Sequence, residues 1–174
     1  MINIIEYLLT KSKKHADAVT ATDNTLRSLV QEAMKERGKD ADLNFIDTSQ
    51  VTDMYALFEY SDFCGDISGW DVSRVTSMDS MFHGATAFNC DISDWDVRSV
   101  TNFSQMFESA ETFNQPIGKW KTEKALLMTQ MFYDADKFDQ DLSSWQVDKV
   151  RSHYLIFSGS AMGAKRNLWP KFND

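Results

Sequence analysis

The sequence predicts an α/β chain built as a solenoid of repeats about 25 residues long, with a helical cap at its N-terminal end. Three observations predict it. Trp70, Trp95, Trp120 and Trp145 recur at a step of 25 residues. Phe82, Phe107, Phe132 and Phe157 keep the same step, and Phe58 precedes them by 24. Within each unit a short extended stretch gives way to a helix-like spacing. A fixed period of this length marks a repeat architecture, in which one unit's open apolar stripe is buried only by its neighbours.

Taken in chain order, the first stretch, Met1 to Leu9, resembles the apolar core of a secretion signal. Glu6 interrupts it, Lys11, Lys13 and Lys14 follow it, and no small-x-small cleavage site is evident. The expectation is therefore a cytoplasmic chain, with a helix over 2–12. Leu26, Leu29, Val30, Ala33 and Met34 fall at i, i+3, i+4, i+7 and i+8. They predict an amphipathic helix over 24–37, with Thr22, Asp23 or Asn24 as N-cap and Gly38 as its stop. Residues 1–42 thus form the helical cap, and 43–174 the repeat region. The segment from Asn167 to Phe172 closes the far end, and the whole is one structural domain.

The four full units read FCGDISGWDVSRVTSMDSMFHGATA, FNCDISDWDVRSVTNFSQMFESAET, FNQPIGKWKTEKALLMTQMFYDADK and FDQDLSSWQVDKVRSHYLIFSGSAM. A half unit leads them from Ile46. In D-I-S-x-W-D-V, Ile67, Trp70 and Val72 suit a short strand or a tight turn into one. In V-T-x-M-x-x-M-F, Val75, Met78, Met81 and Phe82 lie at i, i+3, i+6 and i+7, one side of two helical turns. Ser73 or Asp71 can cap that start. Gly84, Ser109, Asp134 and Gly159 follow the run, where left-handed geometry is useful. The 12 Phe, nine Met and five Trp find their place in the interior columns these units create.

The strings DISGWDVSRVTSMDSMF (66–82) and DISDWDVRSVTNFSQMF (91–107) resemble the BspA-type leucine-rich-repeat surface-protein repeat of bacteria, over about 43–172. The resemblance implies a leucine-rich-repeat-like right-handed solenoid. It also implies a surface protein serving protein recognition or adhesion, with no catalytic residues. The third unit departs from the pattern, with Trp120-Lys121-Thr122 in place of W-D-V and Pro116 where Asp66 and Asp91 stand.

Charge narrows the functional classes. Lys and Arg number 18 against 26 Asp and Glu, a net charge of −8. Such a surface repels phosphate backbones, so no nucleic-acid partner is expected. No run approaches the roughly 18 apolar residues of a membrane helix, so no membrane insertion is expected. The Trp column reads as core packing and not as a stacking platform for a sugar or peptide. The repeated acids Asp66, Asp91 and Asp141, with Asp71 and Asp96, would repel one another unless calcium or turn N–H groups compensate. Cys64 and Cys90 occupy adjacent positions on neighbouring units, open to a disulfide if their Cα atoms lie within about 7 Å, and otherwise free thiols. His15, His83 and His153 form no metal-ligand pattern, and no nucleophile elbow or phosphate loop occurs. The reading is a non-enzymatic protein-binding module with no cofactor and a basic protein partner. The alternative is an intracellular regulatory or inhibitor protein of the kind a phage or mobile element encodes. The partner-binding candidates are the positions that vary between units, Arg74, Arg98, Glu123 and Asp148, and the turn residues His83, Glu108 and Tyr133, expected along one face.

Overall fold

The computed structural model describes residues 18–173. The helix expected over 2–12 and the signal-like stretch lie outside the described residues. Within them, one α-helix, α1 (Leu26–Arg37), and one two-stranded parallel sheet, β1 (Val19–Thr20) with β2 (Ile46–Asp47), are the regular elements. Two short 3₁₀ turns, Ile117–Lys119 and Arg166–Leu168, complete them. The α/β, leucine-rich-repeat-like right-handed solenoid is therefore corrected. None of the four full units contributes a helix of two turns or a strand, and most of the described residues are in turns and loops.

The reason lies in the backbone hydrogen bonds of the run read as helical. In 78–85 the carbonyls of Met78, Ser80 and Phe82 accept from the N–H groups of Met81, His83 and Ala85, each closing a turn within the unit. The intervening peptide groups point across to neighbouring units. The N–H groups of Met78, Ser80, Phe82 and Gly84 donate to the carbonyls of Asn102, Ser104, Met106 and Glu108 at 2.7–2.9 Å. The same pattern recurs from 54–60 to 77–83, from 103–109 to 127–133, and from 128–134 to 152–158. Every other peptide thus satisfies itself locally and the rest satisfy a neighbour, so little is left for an i→i−4 ladder. Residues with φ near +50°, Ala56, Ser80, Gln105, Gln130 and Leu155, sit mid-run and break any helix there. A second left-handed position falls at Tyr60, Gly84, Ser109, Asp134 and Gly159. Single-residue parallel bridges link Asp53, Ser77, Asn102, Leu127 and Ser152 in succession.

The stretch read as a strand is also a turn, closed by the N–H of Trp70 on the carbonyl of Ile67. In the third unit Pro116 precedes the 3₁₀ turn Ile117–Lys119 where the other units carry an Asp. Thr122 replaces Val there and stays buried because its hydroxyl donates to the carbonyl of Gln146 at 3.0 Å.

Side chains fill the space between units in columns. Phe58, Phe82, Phe107, Phe132 and Phe157 follow one another with ring centroids 5.4–5.6 Å apart, nearly parallel. A second column, Phe63, Phe88, Phe113 and Phe138, lies against it, with Phe82–Phe88, Phe107–Phe113 and Phe132–Phe138 at 3.9 Å. The four tryptophans are buried, and each indole N–H donates to a carbonyl 27 or 28 residues earlier, Leu43, Ile67, Ile92 and Ile117 in turn. That bond satisfies the indole's one polar group, which is what makes its burial tolerable.

At the N-terminal end α1 buries Leu26, Leu29, Val30 and Ala33 and stops at Gly38, whose φ is +90°. Its N-cap is Thr25, with no side-chain cap bond, where the sequence suggests Thr22, Asp23 or Asn24. The Asp23 carboxylate is engaged elsewhere, accepting from the N–H and hydroxyl of Thr52 and the N–H of Asp53 at 2.7–3.2 Å. The guanidinium of Arg27 donates to the carbonyls of Tyr55 and Ala56 at 2.7 and 2.8 Å.

Candidate functional site

The repeated acids resolve into local turn chemistry. The carboxylates of Asp66, Asp71, Asp91 and Asp141 each accept the N–H two residues on, from Ser68, Ser73, Ser93 and Ser143, at 2.8–3.0 Å. The N–H of Ser68 holds the Asp66 carboxyl below its ordinary range, and that of Ser93 does the same for Asp91. The hydroxyl of Ser143, then its N–H, lowers Asp141. Each carboxylate is thus compensated by a turn N–H. Among the described residues no group of three or more His, Cys, Asp or Glu is placed to hold a metal ion.

Cys64 and Cys90 are free thiols, the first exposed and the second half-buried. Cys90 stands where the later units carry Gln115 and Gln140, whose amides bridge back to Asn89 and Asn114. Its thiol faces the Asp66 carboxylate at 3.7 Å, and burial pushes its pKa up. A thiol so placed is a poor nucleophile.

The seven candidate partner-binding residues fall into two groups. His83, Glu108 and Tyr133 follow the Phe column and occupy equivalent places on three adjacent units. Their carbonyls accept from Tyr60, Gly84 and Ser109. His83 is held by Glu59, Nδ1 to Oε1 at 3.2 Å, and by the Tyr60 hydroxyl on Nε2 at 3.2 Å. The Tyr60 ring lies over Gly84, where a Cβ would come within 2.4 Å of it. Glu108 accepts from the Gln105 amide at 2.7 Å.

Arg74, Arg98, Glu123 and Asp148 come before the turn run, just ahead of Val75, Val100, Ala125 and Val150 in the sequence. Arg98 makes a two-point ion pair with Asp96, Nε–Oδ1 2.8 Å and Nη2–Oδ2 2.6 Å, which lowers the Asp96 pKa. Glu123 adds a favourable charge for Arg98. Asp96, Arg98 and Glu123, with Ser73, Ser99 and Lys124, line an open groove across three units. Arg74 instead reaches Gln50 at 3.2 Å, and Asp148 is exposed, its carbonyl accepting from the Asn173 amide. No hydrogen bond, ion pair or ring contact joins the two groups among the described residues.

Sequence reasoning missed Glu59 and Tyr60 around His83. It also missed the roles of Asp23 and Arg27, whose partners lie 28–30 residues away. Among the described residues no helix is long and apolar enough to cross a membrane.

The geometry defines a protein of interlocked 25-residue turn units, closed at one end by a helix and varied on its surface from unit to unit. Two overlapping stretches, residues 24–125 and 60–169, match the family described as Mycoplasma protein of unknown function, DUF285, and the chain belongs to that family. No curated protein and no solved structure matches the chain.

Proposed function

We propose that the chain is a non-enzymatic protein-binding module, serving recognition or adhesion as its likeness to BspA-type surface repeats implies. The observation that carries the reading is the column His83, Glu108 and Tyr133. Their backbones make the same bonds to neighbouring units while the side chains differ in kind: imidazole, carboxylate and phenol. A repeated backbone that varies its half-buried side chains at one position is an arrangement suited to recognition. The net charge of −8 favours a basic partner, steered by charge.

The test is affinity capture from cell-surface and lysate fractions, with the wild type beside the triple variant Glu108→Lys, Glu123→Lys, Asp148→Lys. A protein retained by the wild type, lost by the variant and released as salt rises from about 0.05 to about 0.5 M supports the reading. Capture that ignores both salt and the charge reversals refutes this surface.

A further inference from the structure

The two ends of the row of units are not alike. Along the turn runs the linking peptide groups all point the same way, N–H toward the later unit and C=O toward the earlier one. They form four columns of aligned peptide dipoles, with carbonyls facing the N-terminal end and N–H groups facing the C-terminal end. Beside them a column through Thr52, Thr76, Thr101, Leu126 and Arg151 runs with opposite polarity. At the N-terminal end each polarity meets a charge: Arg27 bonds the column carbonyl of Tyr55 and the turn carbonyl of Ala56, and Asp23 takes the N–H groups of Thr52 and Asp53.

At the C-terminal end the equivalent groups are left open. The N–H groups of Leu155, Phe157 and Gly159 have no hydrogen-bond partner among the described residues. On the preceding unit the same positions, Gln130, Phe132 and Asp134, donate to the carbonyls of Tyr154, Ile156 and Ser158. The side chains change at this edge as well. Asp79-Ser80, Ser104-Gln105 and Thr129-Gln130 are polar pairs, but the last unit carries Tyr154-Leu155, 70% and 37% exposed. An open groove lies over the edge, walled by Tyr154, Leu155, Phe157, Ser158, Gly163 and Trp169.

We propose that this edge is a docking site for a peptide segment of another protein, added through its main chain as the next turn run. Carbonyls of alternate residues would accept from Leu155, Phe157 and Gly159, and an apolar side chain would cover Tyr154 and Leu155. The occupant follows from the donor row, which every inner unit fills with alternate carbonyls of one turn run, and from the exposed Tyr154-Leu155 pair beside it. A second copy of this chain is a poorer fit, because α1 lies against its carbonyl edge, with Arg27 already on the carbonyl of Tyr55. The proposal uses main-chain groups and stands apart from the charged side-chain groups above. Its binding is therefore insensitive to the triple charge reversal.

The experiment uses the full chain, isotope-labelled, and a synthetic peptide of residues 75–86, VTSMDSMFHGAT, as probe. In the free chain the amides of Leu155, Phe157 and Gly159 exchange rapidly. With saturating peptide they gain at least tenfold protection, while the amides of the inner units do not change. Leu155→Asn, which places at φ +55° a residue that tolerates left-handed geometry better than leucine, keeps or raises Tm yet weakens peptide binding at least tenfold. The proposal is overturned if these amides are already protected in the free chain, or if the peptide fails to bind or protects other amides. It is equally overturned if Leu155→Asn leaves affinity unchanged, or if the chain self-associates through this edge in sedimentation.

Discussion

The N-terminal and C-terminal ends of the row of units face the same problem and meet it differently. Each end exposes the edge of the Phe columns and a row of backbone groups that inner units satisfy for one another. Apolar closure is similar at both. Phe58 and Phe157 are each 1% exposed, the first packed on Phe63 and Trp70, the second under Trp169 at 4.8 Å. Polar closure is not. Asp23 and Arg27 bond backbone groups of the N-terminal edge, whereas Lys165 at the other end pairs with the Asp139 side chain and leaves the donor row alone. Buried hydrophobic area and satisfied hydrogen bonds are thus separable. A chain can close its core at an end while leaving its backbone available there, and the availability marks where something can be added.

The largest expected effect tests the half of the comparison in which the ends are alike. Phe58→Ala and Phe157→Ala should each cost about 3–5 kcal/mol in urea denaturation, as buried aromatic truncations do. Values differing by more than about 2 kcal/mol would show that Trp169 closes its end less well than α1 closes the other. Next comes the half in which they differ. Asp23→Ala strips three hydrogen bonds and should cost about 1–2 kcal/mol, with Arg27→Ala close behind. Lys165→Ala breaks only an exposed ion pair and should cost under about 0.5 kcal/mol. If Lys165→Ala cost as much as Asp23→Ala, the asymmetry of the ends would be lost.

Acid probes the sealed end more gently. Asp23, through the N–H of Thr52, and Asp47, through that of Ser49, are held below the ordinary carboxylate range, as are Asp66, Asp91 and Asp96. Protons therefore bind the unfolded chain more readily than the folded one. This stability is full above the unfolded value near ~3.9 and disappears as pH falls through the lowered folded values. Urea midpoints should stay level from about pH 7 to about 5 and drop below about 4, and Asp23→Asn should flatten that drop. An unchanged acid profile in that variant would remove Asp23 from the seal. The smallest effect belongs to the open end, where Leu155→Asn should leave stability within about 0.5 kcal/mol or raise it slightly, read as Tm.

The side-chain columns were legible without coordinates, because the step of 25 residues sorts Trp70, Trp95, Trp120 and Trp145 and the Phe series into register by itself. The left-handed positions at Gly84, Ser109, Asp134 and Gly159 were legible from their place after the run. Misread was the backbone between them. Val75, Met78, Met81 and Phe82 share one side, and that spacing is met equally by two turns of helix and by three overlapping turns with Ser80 at φ +56°. Of the candidate binding residues, their variation from unit to unit was readable, but their partners were not: Glu59 and Tyr60 on His83, and Gln50 on Arg74, come from the preceding unit. The Tyr154-Leu155 pair was visible as a departure from the polar pairs of the three units before it, yet it means little until the edge beside it is seen to be open.

Periodic composition alone determined which side chains share the interior, because apolar groups at a constant step can leave water only together. The conformation of the turn runs was decided by the neighbours. A helix would satisfy each run from within, whereas here alternate peptides bond across to the next unit, and sequence spacing cannot state a hydrogen bond to a residue 24 positions away. The same holds for Asp23: its identity suggests a helix cap, and only the folded chain, by bringing Thr52 and Asp53 beside it, turns that carboxylate toward the end of the row.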